Sequence, residues 1–508
     1  MTLHLPWRPS SSSACAAAVA LLALAAAGCG PGTIAVGDDV KDGVAASELS
    51  LAGPAVIDPA YGGVAAFALA KVGGDTVTIE VRDAAGTVVD VLADGTAWAD
   101  SVTWDARDDT GALVALGRYT LHAELEEGGA AVATAEQVVD VVRIGVSAGT
   151  LGGDRIPLMW HAAGGAGMYW SDGGDTATFT LVGLDVDGVA TEIPAPWDDL
   201  FEPPETLVGA NLPAAYAWDA RPTLSLVLGG DVGAASITPT IAGWTLTSGA
   251  VAPGGTLVFT ADAPLAAGPG VVEQTLTLQW MSGDDVVGAQ DVPLRMYALL
   301  GPPAFTESGD PYAPWLAVID PALRAMAGVA PTDQAVISAL VAHIYRDLGL
   351  SYDTRSGASA YTQYEGWSFD NAHLDLSSFL DRARGSVVNC TDCAALLEAF
   401  ANMLGANLSY TIIVENFGLN YIKAIGGDAF DHCPFDNGGC GFSYHAVTTP
   451  DDAETIYDAT LALDGDADPG SYPGEELLVQ AITGDDYLER LVSSGNARYR
   501  YTQKETIQ

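Results

Sequence analysis

Two hydrophobic periods share this chain, and they change over at Pro302-Pro303. Before that point apolar residues alternate with polar ones in short runs bounded by Gly, Pro and Asp, the pattern of half-buried strands. After it they recur three and four residues apart, the pattern of helices with one buried face. A chain written this way builds β-layers first and adds helices only toward its C-terminal end. Its 508 residues allow roughly three domains at ~150 residues each. Hydrophobic residues make up 49%, enough for sizeable cores and against wholesale disorder.

The alternation is clearest from about 59 to 144. Thr76-Val77-Thr78-Ile79-Glu80-Val81-Arg82 reads as a strand, Ala84-Ala85-Gly86 as a turn and Thr87 to Leu92 as the next strand. Asp83-x-x-Gly86-x-Val88-Val89 is followed by Trp104-Asp105-x-Arg107-Asp108-x-x-Gly111 and Gly117-x-Tyr119-x-Leu121. This succession resembles the Ig-like domain of flagellar hook-cap proteins. The resemblance implies a small β-sandwich without catalysis, with Trp104 and Tyr119 in its core and Asp105 and Asp108 shaping turns. Residues 145 to 300 continue in short β-type runs, clearest at 176–182, 224–228 and 273–280, and predict a second β-sandwich. His161 with Trp160, Tyr169 and Trp170 could form a binding patch, although core packing is the simpler reading. No short fixed-period repeat is visible.

The ends and the charge place the protein. Arg8 precedes an apolar stretch from Ala14 to Ala27 that is too short for a membrane-spanning helix of ~20 residues. It ends in Leu24-Ala25-Ala26-Ala27-Gly28-Cys29, which resembles a bacterial lipoprotein cleavage box with Cys29 as the lipidated residue. Ordinary cleavage and a secreted product is the alternative; lipidation is favoured because Cys29 otherwise has no role. The expectation is an exported cell-envelope protein, outer-membrane or cell-surface and monomeric, in contact with the membrane through its N-terminal lipid anchor. Residues 1–29 are then the signal and 30–58 a Gly- and Ala-rich tether. Asp and Glu number 65 against 20 Lys and Arg, a net charge of −45, which excludes nucleic acid and anionic membrane surfaces as partners. Export also favours disulfides, and Cys433 with Cys440, bracketing a Gly- and Asn-containing loop, is the expected pair.

Residues 301–508 carry the candidate chemistry. Pro331-Thr332-Asp333 opens a helix capped by Thr332, and Gly349 ends it. Asn389 caps a second helix beginning at Cys390, with Asp392 completing a capping box and Leu396, Leu397, Phe400 and Leu404 as its apolar face. A cysteine at that position meets the exposed N–H groups and the positive end of the helix dipole, which favour a thiolate and can hold an oxyanion. A hairpin turning at Asp451-Asp452 pairs residues whose numbers sum to 903, placing His445 directly opposite Asp458 and Val447 opposite Ile456. A buried carboxylate beside an imidazole is the support a general base needs.

Cys390-x-Asp392-x-Ala394-x-Leu396-Leu397 with Leu404-Gly405, then His445-Ala446-Val447, then Tyr457-Asp458-Ala459-Thr460, resembles the transglutaminase-like superfamily of papain-like thiol enzymes. The resemblance spans about 310 to 465. It implies Cys390 as nucleophile, His445 as base and Asp458 as its orienter, in acyl transfer or hydrolysis at peptide or isopeptide amides. The expected fold is thus multidomain: two all-β Ig-like sandwiches followed by an α+β transglutaminase-like domain, with protein or peptidoglycan peptide as substrate. The alternative from a different class is a non-catalytic surface scaffold or adhesion protein retaining that fold. Three lesser readings stay open: a Cys390-x-x-Cys393 redox pair, a four-cysteine zinc site, and a calcium loop at Asp464-x-Asp466-x-Asp468, where Pro469 stands in place of the usual glycine. Otherwise no cofactor is expected. His343 is read as structural, and His432 has no spacing argument behind it.

Overall fold

The computed structural model describes residues 47–59, 64–162, 166–170, 179–180, 193–196, 211–231, 236–304, 313–364, 372–450, 454–501 and 506–507. Cys15, Cys29, the signal segment and the hairpin tip Asp451-Asp452 lie outside the described residues, as do the side chains of Trp160, His161, Tyr169 and Trp170. No helix among the described residues is long and apolar enough to cross a membrane.

The period-two segments form strands where the pattern places them. Strands Glu48–Ala52, Ala65–Val72 and Ser101–Trp104 make a three-stranded sheet. Val56–Ile57, Ala130–Val141, Gly117–Glu127, Thr76–Asp83 and Val88–Ala97 make a five-stranded one. Their inward residues, among them Phe67, Ile79, Val81, Trp104, Tyr119 and Leu121, form one core. Trp104 and Tyr119 meet edge to face at 5.5 Å. Asp108 Oδ1 accepts from the backbone N–H groups of Thr110 and Ala112, each at 2.9 Å, and so shapes the turn.

The next region is a ten-stranded sheet that includes Arg143–Gly152, Thr223–Asp231, Thr256–Ala261, Gly270–Ser282 and Asp285–Leu299. Strands far apart in the sheet order contribute Val146, Leu226, Phe259, Trp280 and Leu294 to one core, so the sheet folds over on itself. Of the expected run 176–182 only Phe179–Thr180 is described, as a short edge strand.

Beyond it, among the described residues, lie five helices: α1 (Leu316–Ala325), α2 (Asp333–Arg346), α3 (Leu376–Leu380), α4 (Cys390–Met403) and α5 (Gly484–Leu491). They accompany an antiparallel sheet ordered Ile422–Ala424, Thr455–Asp464, Gly441–Thr449, Ser409–Leu419 and Val492–Gly495. Glu476–Thr483 also pairs with the second of these strands, and Arg498–Tyr501 with the fourth. Thr332 caps α2 through its hydroxyl, as its position predicts.

The helix headed by Cys390 differs from its one-faced expectation, since all of its residues are buried, Asp392, Glu398 and Asn402 included. It packs against α2 and against strands 409–419, 441–449 and 455–464, so every face of it meets protein. Such all-round burial marks a central helix. Its last carbonyls are taken up from outside: Leu300 N donates to Leu404 O at 2.9 Å and Ala304 N to Asn402 O at 2.8 Å. One core accordingly runs from Ile156, Leu212 and Tyr297 through α1, α2 and α4 to Tyr487 and Leu491. Pro302-Pro303 marks a change of secondary structure with no break in packing.

Gly405 makes that junction. It has φ +88°, and a Cβ built on it would stand 2.5 Å from the Gly301 carbonyl oxygen. Gly405→Ala is expected to cost about 2–4 kcal/mol, the sum of left-handed strain and the backbone clash, measured by urea unfolding. A change below about 0.5 kcal/mol, the range of neutral surface substitutions, would mean the helix end does not depend on this close approach.

Candidate active site

The capping box at the head of α4 forms in both directions. Asn389 Oδ1 accepts from Asp392 N at 3.1 Å, and Asp392 Oδ2 accepts from Asn389 N at 3.2 Å. Asp392 does more than cap. It accepts the backbone N–H groups of Ala360 (2.7 Å), Tyr361 (2.8 Å) and Thr362 (2.7 Å), fixing that loop beside the helix start. Burial pushes its carboxyl above the ordinary value, and these backbone donors hold it back.

Cys390 thus opens the helix with its side chain 3% exposed, packed among Ala394, Tyr410, Ile412 and Ala446. Around it runs a chain of hydroxyls: Tyr410 to Tyr364 at 2.6 Å, Tyr364 to Thr391 at 3.2 Å, and Thr391 to Tyr444 at 3.2 Å. Burial raises the Tyr364 and Tyr444 hydroxyls above their usual range, so they stay protonated as neutral donors.

His445 comes from strand 441–449, where it pairs with Ile413 of the neighbouring strand. Its Nε2 lies 2.9 Å from Asp458 Oδ2, and both residues are fully buried. Nδ1 is buried without a nitrogen or oxygen partner. Burial works against a charged ring, but the charge and hydrogen bond of Asp458, with Cys390 beside it, outweigh it and push the imidazole up to about 10. Phe442 stacks flat on the ring, with centroids 5.0 Å apart and planes at 8°.

The carboxylate is held from two further directions. Thr460 N donates to Asp458 Oδ1 at 2.7 Å, and the Tyr487 hydroxyl donates to Oδ2 at 2.7 Å. Tyr487 is completely buried on α5. Its hydroxyl is pushed well above the usual range, chiefly by burial and then by Asp458.

The structure therefore places Cys390, His445 and Asp458 together, by a different register from the expected one. The recorded pair between the two strands is Thr448 with Tyr457, whose numbers sum to 905. The direct pairings His445–Asp458 and Val447–Ile456 are corrected accordingly. A slip of two residues keeps every side chain on its face and leaves Asp458 diagonal to His445, within reach of a long side chain. The physical reason is that strand 455–464 is also held on its outer edge by 422–424 and 476–483, so the turn alone does not set its register.

The other candidates separate. Cys433 and Cys440 form a disulfide, which removes them from a four-cysteine metal set. Cys390 and Cys393 are free thiols. Cys393 is fully buried, and burial with Asp392 beside it pushes its thiol well above the ordinary value. Asp464, Asp466 and Asp468 line a hairpin loop in which Arg490 Nη1 donates to the carbonyls of Asp464 (2.7 Å) and Asp466 (3.0 Å). Among the described residues no group of three or more His, Cys, Asp or Glu side chains is arranged to hold a metal ion. His432 sits against Tyr421 at 5.0 Å, and His343 bonds Asp347, the C-cap of α2, at 3.1 Å.

Sequence reasoning misses Tyr487 and Phe442. Tyr487 lies far along the chain on a short polar helix whose only signal is an apolar pair with Leu491. Residues 442 and 445 fall on opposite faces under strict alternation, so the period-two pattern does not associate them. The register between strands 409–419 and 441–449 slips at that point, beside Glu415 with φ 75°.

Residues 62–129 match the family model of the FlgD Ig-like domain. No curated protein matches the chain. Similar solved structures include a Ruminococcus gnavus β-glucuronidase in complex with uronic isofagomine. That match is 12% identical and covers 20% of this chain and 16% of that one, at TM-score 0.13. Another is the CARDB domain of a Pyrococcus furiosus protein in complex with di-metal ions, 17% identical over 19% of this chain and 93% of that one, at TM-score 0.13. Likenesses this slight carry no argument about fold or chemistry.

Two measurements check the buried pair. Tyr487→Phe is expected to cost about 1.5–3 kcal/mol in urea unfolding, the loss of a hydrogen bond to a charged group. Because the folded value of His445 lies above the ordinary 6.5, its stabilisation is complete below that pH and is lost as pH rises toward 10. The difference in thermal stability between wild type and His445→Gln should therefore narrow from pH 6 to pH 10; a difference that widens would reverse the assignment.

Proposed function

We propose that the C-terminal region is a transglutaminase-like thiol enzyme domain, carried by an exported, lipid-anchored cell-envelope protein. The Ig-like domain and the second β-region act as spacers between the anchor and the site. The observation that supports this most is the completely buried His445–Asp458 pair, with the imidazole raised to about 10 beside a cysteine that opens a helix.

In this reading the proton of Cys390 already rests on His445 Nδ1, as the raised imidazole favours, and the sulfur attacks an amide carbonyl of a protein or peptidoglycan peptide. Negative charge on the carbonyl oxygen is met by the first backbone N–H groups of α4, ahead of those that Asn389 takes up. The imidazolium returns its proton to the departing amine, leaving a thioester on Cys390. Water or a second amine then attacks that thioester while His445 accepts its proton, giving hydrolysis or transamidation. Asp458, steadied by Tyr487 and Thr460, keeps the ring oriented and offsets its charge.

One observation favours a second reading. Cys390 is only 3% exposed and His445 is not exposed at all, as in a fold kept as a non-catalytic surface scaffold.

Limiting iodoacetamide with peptide mapping between pH 5 and pH 9, with and without mild reductant, separates the two. The enzyme reading expects Cys390 to be alkylated ahead of Cys393, with the rate at pH 6 falling at least about 10-fold in His445→Ala. An inert Cys390, or one indifferent to that substitution, supports the scaffold.

A further inference from the structure

Beside the imidazole lies a pocket of ≈ 620 Å³, a size ordinary for small-molecule or peptide side-chain sites. Its walls include Phe417 and Asn416 from the strand next to His445, Phe442 from the histidine strand, and Phe435 and Asn437 from the loop that Cys433 and Cys440 close. Arg355 stands at its rim.

Phe442 joins this pocket to the reacting groups. It stacks on His445 at 5.0 Å and packs edge to face on Phe417 at 5.9 Å and Phe435 at 5.7 Å. Tyr352, whose hydroxyl is pushed above its usual range by burial first and then by Cys390, packs on both Phe435 (6.2 Å) and Phe442 (6.5 Å). A ligand here is one aromatic ring away from the imidazole.

The charge of the pocket is unlike that of the chain. Acidic residues outnumber basic ones 65 to 20, yet none of the lining residues carries a carboxylate and the one charged group is Arg355. That guanidinium is exposed and has no carboxylate partner among the described residues. An unpaired arginine offers a planar fork that fits a carboxylate with two parallel hydrogen bonds.

We propose that this pocket is the acyl-donor subsite, and that it selects peptide segments bearing a carboxylate next to an aromatic or large apolar group. Arg355 takes the carboxylate, and Phe417, Phe435 and Phe442 take the apolar part. The Asn416 amide and Asn437 Nδ2, whose Oδ1 already accepts from Gly439 N at 2.8 Å, are left to bond the peptide backbone. The disulfide holds Phe435 and Asn437 in the wall, so reducing it loosens the subsite without touching Cys390. The assignment of an acyl donor rests on the thiol-enzyme reading; the selectivity of the pocket does not.

The test is binding, read in the Cys390→Ala chain so that no chemistry intervenes. N-acetyl-phenylalanine and N-acetyl-phenylalanine amide are titrated by ligand-observed NMR. The carboxylate is expected to bind about 2- to 5-fold more tightly than the amide, as one exposed charge pair allows. Arg355→Gln should erase that preference and Arg355→Lys keep part of it. Dithiothreitol, or the Cys433→Ser/Cys440→Ser double variant, should weaken both probes together. Equal binding of the two probes, no saturable binding, or a preference that survives Arg355→Gln overturns the proposal. None of these results bears on Cys390 alkylation, and a failed alkylation experiment leaves the pocket's selectivity standing.

Discussion

A carboxylate buried as deeply as that of Asp458 has to be answered by protein groups, because leaving it unpaired costs several kcal/mol. Three elements answer it: the imidazole of His445 from the adjacent strand, the hydroxyl of Tyr487 from α5, and the backbone of Thr460 two residues on. The requirement is mutual. The imidazole carries a proton in a fully buried place only because Asp458 and Cys390 face it. Strand, helix and histidine are thereby tied to one point, and moving any of them leaves a charge uncompensated.

The same logic orders the other side of the site. Asp392 is buried at the head of α4, where its own helix takes up only part of its capacity. The loop at 360–362 brings three N–H groups to it, and the chain of hydroxyls from Tyr410 to Tyr444 passes beside the cysteine. At the far end of α4 the segment 300–304 satisfies the last carbonyls, with Gly405 permitting the approach. A helix carrying a candidate nucleophile is thus fixed at both ends by segments distant in sequence.

Much of this was legible beforehand. Alternation gave the strands around Trp104 and Tyr119, Thr332 and Asn389 capped the helices they precede, and the bracketing cysteines formed their bridge. The association of His445 with Asp458 followed from parity, which a slip of two residues preserves, while Cys390 was joined to them by its helix-start position and the resemblance. The exact pairing did not follow, because a strand paired on both edges takes its register from all its neighbours and not from one turn.

By itself, the amino-acid sequence determined the order of β-rich and helical regions, the helix starts, and which face of the alternating strands around Trp104 and Tyr119 turns inward. These depend on neighbours a few residues away, where period and capping chemistry act. Tertiary structure alone decided that α4 would be buried on every side, that Tyr487 would reach Asp458, that Phe442 would lie on the imidazole, and that the disulfide loop would wall a pocket beside it. Each of these joins residues far apart along the chain, and the contact is favourable only once the packing of the whole core has brought them within a few ångströms.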